Sequence, residues 1–234
     1  MWQIDDESAY VLHTLPFQGS SLICEVFTQN QGRVKLLALS ARGPKSRFRG
    51  VFRTFNLLKI NARGNTELRK VTAAYCLRSI VDLQAIPLLC GYYLHELLRY
   101  CLPLEEPAQD LFLLYENTLE VLCQGNKTFI EKSLRQFEKK ILEHCGYGID
   151  FEKEAITQAP IDPTAQYEFI LKEGFILKNQ GHQTIPGEAI LKIGQGDLSD
   201  QTHSSYAKGI FRQAIAECLQ GKKMMSRELL KSFL

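Results

Sequence analysis

No run of eighteen apolar residues free of charge occurs in this 234-residue chain, so the sequence offers no candidate membrane-spanning helix. The first residues, Met1-Trp2-Gln3-Ile4-Asp5-Asp6-Glu7, are acidic where a secretory leader is basic and then apolar, and a cytoplasmic location is expected. No Cys-x-x-Cys pair is present, which removes zinc-finger and thioredoxin-like signatures. The seven cysteines (Cys24, Cys76, Cys90, Cys101, Cys123, Cys145 and Cys218) are odd in number and widely spaced, so they read as unpaired thiols, most of them in apolar patterns. There is no Gly-x-Ser-x-Gly elbow. Gly194-Gln195-Gly196-Asp197 lacks the Lys-Ser/Thr of a phosphate loop and reads as a plain loop. His95-Glu96-Leu97-Leu98-Arg99 has Arg where a zinc-protease helix needs its second His, and reads as a helix-surface His and Glu. His144 falls in the last turn of a predicted helix, a favourable place for partial positive charge. No carboxylate pair stands out, and the sequence makes no positive case for an enzyme.

What is present is an uneven distribution of charge. Residues 1–78 carry 12 Lys/Arg against 5 Asp/Glu, while residues 79–234 carry 16 against 21. Within 33–70 the count is 11 basic to 1 acidic. A polyanion-binding N-terminal part joined to a different module is the expected arrangement.

Hydrophobic periodicity marks the same division. Runs at 10–15, 20–28, 33–40, 55–60 and 67–73 alternate or are β-rich, separated by turns such as Gln29-Asn30-Gln31-Gly32 and Ala62-Arg63-Gly64-Asn65. Five short strands with no long helix among them predict a small barrel over 1–80. From about residue 83 the spacing becomes helical: Leu94/Leu97/Leu98/Cys101, then Leu111/Leu114/Tyr115/Thr118/Leu122, then Leu134/Phe137/Ile141/Cys145. These helices, with a fourth marked by Tyr206 to Cys218 and a last one capped by Ser226, are expected to form a bundle over 81–148 and 201–234. Residues 149–200 are irregular, with a hairpin expected around Glu173-Gly174. The fold class is therefore α+β.

The binding signal is basic residues interleaved with aromatics. Arg42, Lys45, Arg47, Arg49 and Arg53 alternate roughly with Phe48, Phe52 and Phe55; Arg33 and Lys35 precede them, and Arg63, Arg69 and Lys70 follow. Such a set suits phosphate neutralisation, with two readings open for Phe48 and Phe52: base-stacking platforms or barrel core. Arg33, Lys35, Arg42, Lys45, Arg47, Arg49, Arg53 and Arg63 are the candidate DNA-binding residues. A second candidate is Arg135, between Leu134 and Phe137 and near Lys132, where a guanidinium beside an apolar groove suits an acidic peptide with a free carboxylate; a solvent-facing helix charge is the other reading.

The chain resembles the family of bacterial recombination mediator and DNA repair proteins RecO. The resemblance is carried by Ala9-Tyr10-Val11-Leu12-His13, by Phe27-Thr28 leading to Gly32-Arg33-Val34, and by Ala41-Arg42-Gly43-Pro44-Lys45-Ser46. It continues through Leu134-Arg135-Gln136-Phe137-Glu138, Leu142-Glu143-His144-Cys145-Gly146-Tyr147-Gly148 and Met225-Ser226-Arg227-Glu228-Leu229-Leu230. The resemblance implies an N-terminal oligonucleotide/oligosaccharide-binding (OB) barrel and a helical domain. It implies binding of single- and double-stranded DNA, strand annealing, docking on the acidic tail of single-strand-binding protein, and loading of the recombinase RecA together with RecR. It also implies association with the nucleoid and points to Arg135, with Leu134 and Lys132, for the tail. Many members carry a four-Cys zinc site after the Gly-Tyr-Gly segment. Here residues 149–200 hold no Cys and His182 alone cannot replace it, so no metal and no cofactor are expected. The alternative kept beside this reading is an RNA-binding barrel protein acting in RNA metabolism.

Overall fold

The fold was analysed in a computed structural model that describes residues 2–66, 68–79, 83–178 and 184–232. Glu67, at the expected start of the fifth strand, His182, the side chain of Leu230, and Phe233 lie outside the described residues.

Five strands, β1 (Trp2–Phe17), β2 (Ser21–Thr28), β3 (Gly32–Ala38), β4 (Leu57–Gly64) and β5 (Leu68–Arg78), close into a barrel in the order β1-β2-β3-β5-β4. All neighbours are antiparallel except β3 and β5. The expected first strand covered only 10–15, but β1 is sixteen residues long and serves both sides of the closure. Its first part pairs with β4 and its second with β2, with register shifts between Ile4 and Glu7 and between Val11 and His13. Bulges of this kind add the bend that closure needs. Pro16 does not end the strand because residues beyond Val11 pair with β2 alone, and an edge without a ladder partner tolerates the missing N–H. The acidic residues at the start are accommodated individually. The Glu7 carboxylate is buried and accepts the N–H and side-chain amide of Asn30, at 2.6 and 2.9 Å. The N–H of Asp6 donates to the Asn61 side chain at 2.9 Å.

Inward residues of every strand, including Ile4, Val26, Leu36, Ile60 and Val71, fill the barrel, joined by Phe48 and Phe52 from the loop 39–56. The two rings meet edge to face at 5.8 Å. This overturns the stacking reading for both: each ring is buried and serves as a plug, since a barrel of five short strands needs its open end filled.

The same compact unit, Met1–Gly125 with Met224–Leu234, contains α1 (Ala85–Cys101), α2 (Gln109–Gln124) and, numbered last along the chain, α6 (Met225–Ser232). Tyr10 and Phe27 point out of the barrel and pack on Phe112 and Tyr115 of α2, with centroids 5.0–6.3 Å apart. Gly91 lets α1 sit directly on Phe55: a Cβ there would come within 2.8 Å of the ring. Compactness thus divides the chain differently from the expected boundary near residue 80, because Tyr10 and Phe27 on the outside of the barrel take α2 and Phe55 takes α1.

The second unit, Asn126–Lys223, holds α3 (Lys127–His144), a small sheet of β6 (Gln166–Ile170), β7 (Gly174–Leu177) and β8 (Ile185–Pro186), then α4 (Gly187–Gly194) and α5 (Gln201–Cys218). The β6–β7 hairpin turns where the sequence placed it. Phe151 packs on Phe175 at 5.5 Å and Phe211 at 6.1 Å, and Phe169 on Phe175 at 5.3 Å. Helix α4 was not foreseen. It is eight residues long and opens on Pro186-Gly187, but it buries Ala189, Ile190 and Ile193.

Candidate nucleic-acid interface

The structure separates the expected basic set into two groups. Arg33 lies on the outer face of β3, half-buried, where its guanidinium donates to the Leu102 carbonyl at 2.7 and 3.2 Å and pairs with Glu25. Glu25, itself buried, also takes Arg99 of α1 at 3.0 Å. Arg33 therefore fastens α1 to the barrel. Arg69 is 1% exposed and pairs with Glu105 at 2.6 Å, so it too is engaged internally. Lys35 is half-buried, with Glu25 as its cross-strand neighbour.

The second group is open. Arg42, Lys45, Arg47, Arg49, Arg53, Arg63 and Lys70 are all exposed. Five lie on the loop 39–56, which is fixed by local bonds. The N–H of Arg42 donates to the Ser20 carbonyl at 2.8 Å, and its guanidinium reaches the carbonyls of Gly19 and Ser21. The Arg47 guanidinium lies 4.8 Å over the Phe48 ring and donates to the Thr72 carbonyl of β5 at 2.8 Å. Arg49 donates weakly to the Pro44 carbonyl at 3.4 Å. Arg63 and Lys70 face each other across β4 and β5. No acidic residue occurs between Val26 and Thr66, so the six cations from Arg42 to Arg63 have no carboxylate within their own segment. Exposed guanidinium groups set in place by backbone carbonyls suit phosphate contact.

On α3, Arg135 is 13% exposed and its guanidinium lies 2.6 Å from the carboxylate of Glu138, which is buried. Leu134 is buried in the helix packing, and Lys132 is exposed. The sequence set Arg135 between Leu134 and Phe137 and near Lys132 but could not show that Arg135 already has a carboxylate partner.

The sequence features weighed for catalysis have structural work. His95 is not on the helix surface. It is fully buried, 4.4 Å from the Phe55 ring centroid, and its Nε2 is 2.5 Å from the Tyr115 hydroxyl. Burial, and secondarily the Arg99 charge, lowers its pKa to about 3. The Glu96 carboxylate accepts the N–H of Met225 at 2.9 Å and of Ser226 at 3.1 Å, and the Ser226 hydroxyl. Ser226 is thus a donor to Glu96 rather than the cap expected for the last helix. Gly194 and Gly196 end α4, with Gly196 at φ +76°. Among the described residues there is no group of three or more His, Cys, Asp or Glu that could hold a metal ion, and no helix is long and apolar enough to cross a membrane.

A closed five-stranded barrel in the order 1-2-3-5-4, with a parallel β3–β5 junction, is the OB-fold architecture, and here it carries an exposed basic loop. The comparisons with known proteins narrow this class. Residues 2–80 match the family described as Recombination protein O N terminal, and residues 83–188 match Recombination protein O C terminal. The chain is 35% identical over 226 residues to the DNA repair protein RecO of Coxiella burnetii (strain CbuG_Q212), covering 96% of each chain. It is 34% identical over 232 residues to that of Aromatoleum aromaticum, covering 98% of this chain and 96% of the relative, and 34% identical over 233 residues to that of Dechloromonas aromatica, with the same coverage. The chain belongs to the RecO family of DNA repair proteins.

Proposed function

We propose that this protein binds single- and double-stranded DNA without sequence preference through the exposed cations of the barrel and anneals complementary strands. The observation that carries this reading is the set Arg42, Lys45, Arg47, Arg49, Arg53, Arg63 and Lys70, all exposed, the first six on a segment without acidic residues. Annealing requires no covalent step. Two phosphate backbones repel, and a cationic surface that engages both lowers that repulsion. Loop Arg and Lys heads reach phosphates more readily than base edges, so sequence is not read.

The same proposal assigns the second unit to partner binding. Arg135, with Leu134 and Lys132, takes the acidic tail of single-strand-binding protein. With RecR the protein promotes RecA loading, in the cytoplasm at the nucleoid. Tethering through the tail concentrates the basic barrel at coated strands without new DNA contacts. Family membership favours DNA over the RNA alternative. A DNA/RNA competition tests that preference, since the 2′-hydroxyl distinguishes the two.

The decisive experiment replaces Lys45, Arg49 and Arg63 together with Ala, leaving the Arg42 and Arg47 anchors in place. If each meets one phosphate, the log–log salt slope of single-strand binding falls by about 2 and affinity drops for all sequences alike. Arg33→Ala serves as the contrast. It loses stability, because the buried Glu25 loses a partner and the Leu102 carbonyl its donor, while the slope stays unchanged. An unaltered slope in the folded triple variant sinks the interface.

A further inference from the structure

The outer faces of the barrel are not equally available. On β2 and β3, the face OB barrels commonly use, Glu25 and Phe27 are buried and Arg33 is tied to Leu102. This protein covers much of that face with its own helices. On β4 and β5 the outer face is open. Its cross-strand pairs are Arg63 with Lys70, Asn61 with Ala73, and Lys59 with Tyr75. Directly opposed side chains on such a ribbon are close enough to act on one ligand, and Lys59 to Arg63 spans about 13 Å along the strand.

Tyr75 is 54% exposed in the middle of β5. Among the described residues its ring has no ring partner and its hydroxyl no hydrogen bond. The neighbouring Cys76 and Leu77 are also exposed, while Ala73 and Asn61 leave a low, uncharged step between Tyr75 and the Arg63/Lys70 pair. Lys59, opposite Tyr75, donates to the Asp6 carbonyl at 2.8 Å and lies 3.4 Å from the Asp6 carboxylate, which is itself exposed. Thr72 is the extra residue of the β5 bulge between the Asn61–Ala73 and Ala62–Val71 pairs, and its carbonyl receives Arg47 from the basic loop. The loop cations therefore run directly onto this ribbon.

The geometry points to the β4–β5 ribbon as a platform for single-stranded DNA, with Tyr75 stacking on a base and Lys59, Arg63 and Lys70 holding the flanking phosphates. An exposed flat ring between cations is the arrangement that binds single strands without reading sequence, since every base offers a π-face. The barrel's other candidate rings, Phe48 and Phe52, are inside the core. A protein partner would also bury Tyr75 and Leu77, but three cations with a small polar step favour a phosphate-bearing strand. The inference deepens the DNA-binding reading and rests on it.

The test uses the full-length protein with an oligothymidylate and with an abasic oligomer of equal length and charge. Tyr75 is on the surface, so Tyr75→Ala and Tyr75→Phe leave the fold intact. The wild type and Tyr75→Phe should prefer thymidylate to the abasic strand. Tyr75→Ala should lose roughly five- to a hundredfold in thymidylate affinity, with abasic binding and the salt slope unchanged. Full thymidylate affinity in Tyr75→Ala overturns the platform, as does equal loss on both strands, or a Tyr75→Phe variant that behaves like Ala. If Tyr75→Ala keeps DNA binding and loses association with another protein, the ribbon is a protein-docking face and the platform is overturned. Failure of the wild type to bind either oligomer at low salt removes the DNA-binding reading itself. Full thymidylate affinity in Tyr75→Ala, with a Lys45→Ala/Arg49→Ala variant of the loop still defective, removes the platform alone.

Discussion

Arg135 and Glu138 share one turn of α3 and cannot be tested apart. Arg135→Ala alone removes the cation facing a buried carboxylate, and breaking such a pair costs about 3–5 kcal/mol. A defect in that variant would report folding as much as binding. The informative protein is Arg135→Ala combined with Glu138→Gln, which removes both charges and should recover most of the stability in urea titration. If Arg135 grips the coat-protein tail, the double variant loses roughly ten- to a hundredfold in affinity for a tail peptide. It should anneal bare strands normally and coated strands poorly. Equal loss on bare and coated DNA would assign Arg135 to the DNA surface or to the fold.

At the scale of elements, α1 and α6 are joined by one carboxylate. Glu96 takes the first two N–H groups of α6, the role a capping side chain plays at a helix start, but from another helix. Arg227 adds a hydrogen bond to the Tyr93 hydroxyl at 3.1 Å and a cation–π contact at 5.3 Å. Glu96→Ala is therefore predicted to cost about 1–2 kcal/mol locally and to loosen α6 while the barrel stays intact. Hydrogen exchange should show it: amides 225–228 gain exchange, and those of β2 and β3 do not. Uniform acceleration across the unit would mean that α6 is part of the barrel's cooperative core.

At the scale of the whole molecule, two conditions test how the chain is held. His95 is buried among Phe55, Tyr115 and α1, with Arg99 and His13 as its nearest basic neighbours, and its folded pKa lies near 3, well below the unfolded value. The unfolded chain binds the proton first. The stability from keeping His95 neutral is therefore full above about pH 6.5 and is lost as pH falls below it. The loss between pH 7 and 5 is about 2 kcal/mol, and urea titrations at the two pH values should show it in the wild type but not in His95→Gln. An equal pH response in both would place the sensitivity elsewhere. Metal is the second condition. Residues 149–200 lack Cys, and the β6–β7 hairpin is packed by Phe151, Phe169 and Phe175. A chelator should leave the melting temperature unchanged, and elemental analysis should find no stoichiometric zinc. One tightly bound zinc per chain would contradict this.

Local pattern alone determined β2 and β3, the helices other than α4, the β6–β7 hairpin and the basic character of residues 33–70, because alternation, helical spacing and charge are properties of neighbours in sequence. β4 runs on through residues 62–64, read as a turn, and β5 runs to Arg78, beyond the expected end at residue 73. The length of β1 was hidden, since Glu7 looks solvated until Asn30 of the β2–β3 turn donates to its carboxylate and Asn61 of β4 accepts the N–H of Asp6. The fate of each cation was also hidden. Arg33 and Arg69 have the same local charge context as Arg63 and Lys70, yet two are consumed by Glu25, Leu102 and Glu105 while two remain open. The aromatic residues were decided the same way. Phe48 and Phe52, set among arginines, went into the barrel because its open end needed volume, and Tyr75, beyond the expected end of the fifth strand at residue 73, was left outside because the β5 bulge turns it to the surface. Sequence fixes which chemistry is available. Closure of the barrel and docking of α1 and α2 decide which of those groups meet solvent, because burial and pairing depend on residues far apart in the chain.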